Sequence, residues 1–311
     1  MKIALVNSKI DNPNFYIINS IYQSFVHKLG KNNVYLLDYF NLLESIDKLS
    51  IDTLLVLDGG MSDNLIIKLS CEKVTHSYVW RFDDPYDLQS LLNTNEWFSH
   101  VFTTDIKTSK EFLNTSHLEL SGCNTDFSAL NPLQEREFDL LFVGTLWPNR
   151  LEFINQIANL SNFKINIISN HIEFEKSEVF KFDSKINFFP RVSFLDYSYL
   201  LANTKIVLTL GRNFSVGEHN SSESLGVPPR FFDALSWGCI QIVDEYIYNT
   251  LPTNFGSTYC CKTPQQLPKI VYDLTTNSRR LQKNVDEDLD KYVRTYSWES
   301  RVNYILEVRN Q

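Results

Sequence analysis

Short apolar runs recur along the whole chain, separated by segments with the spacing of amphipathic helices. Lys2–Val6, Asn33–Leu37, Thr53–Leu57, Ser77–Arg81 and His100–Thr103 read as strands. Between them Asn14–Leu29, Phe40–Lys48, Asn64–Leu69 and Asp87–Asn93 read as helices. A strand covered on both faces has no polar side to show, so it reads as a near-continuous hydrophobic run. Strand–helix alternation of this kind demands a parallel sheet with helices on both sides. After the polar stretch from Asn131-Pro132 to Glu137, which reads as a linker, the pattern restarts. Phe138–Val143, Lys164–Ile168, Ile186–Phe189, Lys205–Leu210 and Cys239–Val243 are the second set of strands. Arg150–Leu160, Ser193–Ala202, Pro229–Trp237, Pro264–Thr275 and Asn284–Gln311 are the second set of helices. The expectation is an α/β chain of two doubly wound units.

Bulk properties agree with that size. The 311 residues suffice for two domains, and 43% hydrophobic with 21% charged residues is ordinary globular composition. No apolar run approaches the length of a bilayer span, and Met1–Asn7 reads as a buried strand, not a signal peptide. The expected location is cytoplasmic. Five scattered cysteines form no C-x-x-C pair and no zinc spacing, so no metal is expected. A net charge of −8 weighs against a duplex nucleic acid partner.

The chemistry concentrates after the fourth strand of the second set. Pro229 is pre-organised for a helix start and Gly238 for its left-handed stop. Arg230 and Asp233 are three apart and share a face of that helix. A cation at a positive helix end suits a phosphate, and a carboxylate one turn on suits a sugar diol. The bland alternative is a surface ion pair, but Phe231, Phe232, Ala234 and Leu235 leave little of the helix for open water. Gly144, ending a strand, with Arg150 beyond it, is a second phosphate candidate or an ordinary strand–helix turn. Arg212 lies at a strand end, followed by a polar loop carrying Glu218 and His219. These two serve proton transfer, contact a phosphate oxygen or form a solvated pair. Asp83 and Asp84 follow a strand in the first half and either contact sugar hydroxyls, act as a base or cap a helix.

At these residues the chain resembles a GT-B glycosyltransferase, in particular the family of the spore maturation protein CgeB. Phe142-Val143-Gly144 followed by Pro148-Asn149-Arg150 is similar to that family's opening of the donor domain. Arg230-Phe231-Phe232-Asp233-Ala234 with Gly238 resembles its Arg-x-Phe-Glu-Ala…Gly signature. Ser297–Arg301 resembles its closing helix, and Trp80–Pro85 and Phe102–Asp105 are looser matches. Asp233 stands where the family has Glu, and Leu225 stands where broader retaining families have a second Glu.

The resemblance implies two Rossmann-like domains facing a central cleft. They are an acceptor domain over 1–133, a donor domain over 138–285, and helices over 286–311 crossing back to the first. It implies transfer of a sugar from a nucleotide diphosphate sugar of UDP type, without a metal or other cofactor and with retention. Gly144, Arg150, Arg212, Glu218 and Arg230 would surround the diphosphate and Asp233 would hold the ribose. Asp83, Asp84 and His219 are the candidate catalytic groups. The acceptor is a glycan, a protein or a modified DNA base. The rival reading is a scaffold that binds nucleotides without catalysis.

Overall fold

A computed structural model describes residues 1–7, 15–57, 64–82, 84–85, 88–123, 130–146, 148–169, 184–190, 192–211 and 226–309. The chain divides into two compact units. The first includes Met1–Ser121 and Tyr296–Gln311, and the second Gly122–Arg212 and Val227–Thr295.

In the first unit strands and helices alternate: β1 (Ile3–Asn7), α1 (Phe15–Leu29), β2 (Val34–Asp38), α2 (Leu42–Leu49), β3 (Thr53–Leu57) and α3 (Leu65–Cys71). Next come β4 (His76–Arg81), α4 (Leu88–Thr94), β5 (His100–Thr103), α5 (Ile106–Glu111) and β6 (Thr115–His117). The sheet order is β2-β1-β3-β4-β5-β6, and every pairing is parallel. The centre is as apolar as its sequence demands. Every residue of β3 is buried, and Ala4, Val6, Leu54, Val56, Val79 and Val101 form one core with the helices that cover it.

The second unit runs β7 (Phe138–Val143), α6 (Pro148–Leu160), β8 (Ile165–Ile168), β9 (Ile186–Phe189), α7 (Phe194–Ala202) and β10 (Thr204–Thr209). It continues with α8 (Pro229–Ser236), β11 (Ile240–Val243), α9 (Glu245–Thr250), β12 (Thr258–Cys260), α10 (Leu267–Thr276) and α11 (Ser278–Thr295). Its strand order, β12-β11-β10-β7-β8-β9, puts the first strand in the middle and reverses direction of build between β7 and β10. Register aligns Ile240, Ile206 and Leu140 across three neighbouring strands. These residues, with Phe142, Leu208 and Ile242 two positions along, face one core.

The stretch expected as a linker belongs inside the second unit, and the division falls at Ser121/Gly122. The reason is Arg136. Its guanidinium is 3% exposed and donates to the carbonyls of Asn131 (3.1 Å), Thr204 (2.9 Å) and Trp237 (2.9 Å). One side chain thus fastens the incoming chain to the start of β10 and to the end of α8. Likewise α11 is part of the second unit, so the chain returns to the first at Tyr296, not at residue 286.

The last helix, α12 (Trp298–Arg309), packs on α1 in the first unit. Trp298 meets Trp80 edge-on at 6.0 Å, and Trp80 Nε1 donates to Leu118 O at 3.0 Å. Arg301 of α12 lies 3.6 Å from Glu119, with both side chains nearly buried, and its guanidinium covers the Tyr296 ring at 5.1 Å. Burial pushes the Glu119 carboxyl up to about 7, against the pull of Arg301.

Two predictions follow from these contacts. Arg136→Met keeps the apolar stem but leaves buried carbonyls unanswered, and should cost about 2–4 kcal/mol; urea unfolding would show a lower midpoint with an unchanged slope. For Glu119, the unfolded chain releases the proton near the ordinary value of 4.5 and the folded chain holds it to about 7. Stability from this group is therefore lost as pH rises through that window, by up to roughly 3 kcal/mol. Glu119→Gln should flatten that part of the stability profile when unfolding is compared at pH 5 and pH 8.

Candidate functional site

The site of the second unit starts at the strand ends where the order of build reverses. In open α/β sheets the two connections at such a point leave in opposite directions and open a crevice. β7 ends in Gly144, whose φ of 150° lies in a region that side chains strongly disfavour. Its N–H donates to Ile168 O at 3.0 Å, and the chain then turns into α6. β10 ends at Thr209, and Leu210 and Gly211 follow it. A Cβ on Gly211 would stand 2.8 Å from the Tyr246 ring and 3.2 Å from Asp244 Oδ2, so the turn is tight.

Two side chains brace these ends. Arg150, 7% exposed, donates from Nε and Nη2 to Gly211 O (3.2 and 2.8 Å), from Nη2 to Leu210 O (2.6 Å), and from Nη1 to Thr145 O (3.0 Å). It ties the turn after β7 to the turn after β10. The structure places this residue, expected at a diphosphate, with its donors on backbone carbonyls. Asp244, just past β11, accepts the Gly211 N–H at 2.6 Å through one oxygen and caps α9 at Ile247 N with the other (2.8 Å). Sequence reading passed Asp244 over, although an Asp directly before an acidic first turn is a capping signal.

α8 follows. Pro228 and Pro229 open it without a side-chain cap, and Gly238 closes it with φ 59°. Phe231, Phe232, Ala234 and Leu235 are buried, so the helix is held by its apolar side. Asp233 is 1% exposed. Its Oδ1 accepts the Cys123 N–H at 2.9 Å, and its Oδ2 accepts the Tyr197 hydroxyl at 2.8 Å and Arg230 Nη1 at 3.0 Å. Arg230 is 31% exposed at its side chain, and its guanidinium lies over the Tyr197 ring at 5.2 Å. Arg230 and Asp233 thus meet as their spacing indicates. The structure places the carboxylate expected at a ribose facing inward, with protein donors on both oxygens. Tyr197 on α7 and the backbone at Cys123 are members of this cluster that sequence reading missed, since they lie far from α8 along the chain.

In the first unit Asp84 is 2% exposed, accepts Arg81 Nε at 2.9 Å and Thr103 Oγ1 at 2.8 Å, and has its pKa raised by burial against the pull of Arg81. It anchors the turn after β4 to β5. The carboxylate expected among the catalytic candidates is thus enclosed by its own partners. Asp83, Arg212, Glu218 and His219 lie outside the described residues.

Among the described residues no group of three His, Cys, Asp or Glu side chains gathers as metal ligands. Cys71, Cys123, Cys239 and Cys261 are buried free thiols whose pKa values burial raises, to about 12 for Cys71 and about 11 for Cys261. Among the described residues no helix is long and apolar enough to cross a membrane.

The two-sheet architecture recurs in solved structures. HepE of Anabaena, determined in complex with UDP-glucose, superimposes with a TM-score of 0.65 at 10% identity, covering 100% of both chains. AviGT4, a glycosyltransferase of avilamycin A biosynthesis, gives 0.64 at 12% identity over 99% of this chain and 96% of that one. The β-glucosyltransferase of phage T4 gives 0.56 at 13% identity over 98% of each. At such identities the likeness shows the fold, which is GT-B: two Rossmann-like α/β domains. No curated protein matches the chain in sequence. The model of the glycosyl transferase-like family matches residues 130–307, more than half of the chain, and the chain therefore belongs to that family.

Proposed function

We propose that the chain transfers a glycosyl group from a nucleoside diphosphate sugar, of UDP type, to a hydroxyl of an acceptor. The observation that carries this reading is Arg230: a partly exposed guanidinium at the positive end of α8, held in place by Asp233 and Tyr197. Among the described residues α8 is the next helix of the second unit after β10, which lies beside β7 where the order of build reverses. In the reaction the bond from the anomeric carbon to the diphosphate oxygen breaks, and a bond from that carbon to the acceptor oxygen forms. Negative charge grows on the departing diphosphate. A fixed cation and a helix dipole stabilise it without reorganising, which is where a preorganised site is most effective. Arginine takes the place that a metal ion holds in other transferases.

The acceptor hydroxyl loses its proton to the departing phosphate in a retaining reaction, the outcome that the CgeB-like resemblance favours. Neither Asp84 nor Asp233 is offered as the base, because both carboxylates are enclosed. HepE carries UDP-glucose in its structure, and the choice of UDP for the first assays rests on that likeness of fold. For the acceptor, the net charge of −8 favours a glycan or protein over duplex DNA.

Titration calorimetry with UDP and UDP-sugars tests the reading. Arg230→Ala should weaken binding about 10- to 100-fold, the range for losing a charge-assisted contact. Equal affinity of wild type and variant would remove the phosphate role, and a wild-type chain that binds no nucleotide sugar would remove the function.

A further inference from the structure

We infer that Tyr197 is a positioning residue for donor binding, acting through Arg230, an inference that rests on the reading of Arg230 as the diphosphate cation. Tyr197 is 6% exposed on α7, and two of its groups engage the same cluster from different sides. Its hydroxyl donates to Asp233 Oδ2 at 2.8 Å, the oxygen that also accepts Arg230 Nη1 at 3.0 Å. Its ring lies under the Arg230 guanidinium at 5.2 Å. A guanidinium on a long side chain has many rotamers, and ordering it costs free energy on binding unless the protein has already done so. Here the ring supplies a floor and the carboxylate a wall, and the hydroxyl fixes the carboxylate. Asp233 alone would leave the plane of the guanidinium undetermined, and Tyr197 supplies that plane.

The placement of Tyr197 is itself built. Ser193 caps the start of α7, its Oγ accepting the Asp196 N–H at 3.1 Å, and the next turn carries Tyr197. Asp233 is held on its other oxygen by the Cys123 N–H, which pins one end of the carboxylate, and the Tyr197 hydroxyl sets the rotation of the end that meets Arg230. Removing the hydroxyl therefore loosens Arg230 while leaving the α8 backbone anchored.

A double-mutant cycle on the full chain separates this role from a structural one, read as UDP dissociation constants by calorimetry for wild type, Tyr197→Phe, Arg230→Ala and the pair. Tyr197→Phe should weaken UDP binding about tenfold in the wild-type background, the scale of one hydrogen bond to a charged group. It should have no effect in the Arg230→Ala background. An unchanged affinity for Tyr197→Phe, or an equal loss with and without Arg230, overturns the inference while leaving the function standing. Unchanged affinity for Arg230→Ala alone overturns the inference together with the phosphate role of Arg230, and a wild-type chain that binds no nucleotide sugar overturns the function. Asp233→Asn keeps shape and volume and serves as a second variant if Tyr197→Phe fails to fold; it too should lose UDP affinity only when Arg230 is present, and a loss without Arg230 counts against the inference.

Discussion

A carboxylate shut away from water must be met by donors, and meeting it at Asp233 organises the second unit around α8. Its partners are a tyrosine hydroxyl, an arginine one turn earlier on the same helix and a backbone N–H at Cys123. They come from three separate stretches of chain, so the position of α8 is tied to α7 and to the first residues of the unit at once. The packing beside this tie leaves no slack. A Cβ on Gly122 would lie 2.1 Å from Phe232 O, and the Gly122 N–H bonds the Tyr292 hydroxyl at 3.1 Å. The chain passes α8 at a distance that only glycine permits, and Arg230 emerges from a helix that cannot easily shift.

The same logic braces the ends of β7 and β10. Strand ends leave carbonyls and N–H groups without ladder partners, and a turn that buries them needs side chains to answer. Arg150 answers carbonyls at the ends of β7 and β10, and Asp244 answers the Gly211 N–H. Arg150 and Asp244 are thus engaged with backbone at these turns, while the Arg230 guanidinium on α8 stays partly exposed. Preorganisation of this kind suits the glycosyl transfer proposed above, whose main demand is stabilising charge on a departing diphosphate.

Much of the framework is legible in the sequence, and the exceptions share a cause. β3, β5, β7 and β9 match the runs read as strands residue for residue, and β3, buried along its whole length, shows why: a covered strand has no polar side to present. β6 and β12 were missed. Each is three residues long at a sheet edge, and Thr115-Ser116-His117 carries no apolar signal. α5 and α9 were missed with them, though Asp105 and Asp244 cap them visibly once the helices are known. In the site, the Arg230–Asp233 pair was readable since both ends sit one turn apart. The backbone partners of Arg150 are not readable, because Leu210 and Gly211 lie some sixty residues away and nothing local reveals carbonyls brought there by β10.

What the sequence by itself determined is the alternation of covered strands and amphipathic helices, the limits of α8 from Pro229 to Gly238, and the placing of an arginine and an aspartate on one face of it. These are local properties, set by period, propensity and spacing. Only the tertiary structure decided which way the aspartate faces and which cations are engaged by the backbone. It also placed the Tyr197 ring beneath Arg230. Those outcomes depend on partners supplied by strand order and packing, and a chain of residues carries no record of distance until it is folded.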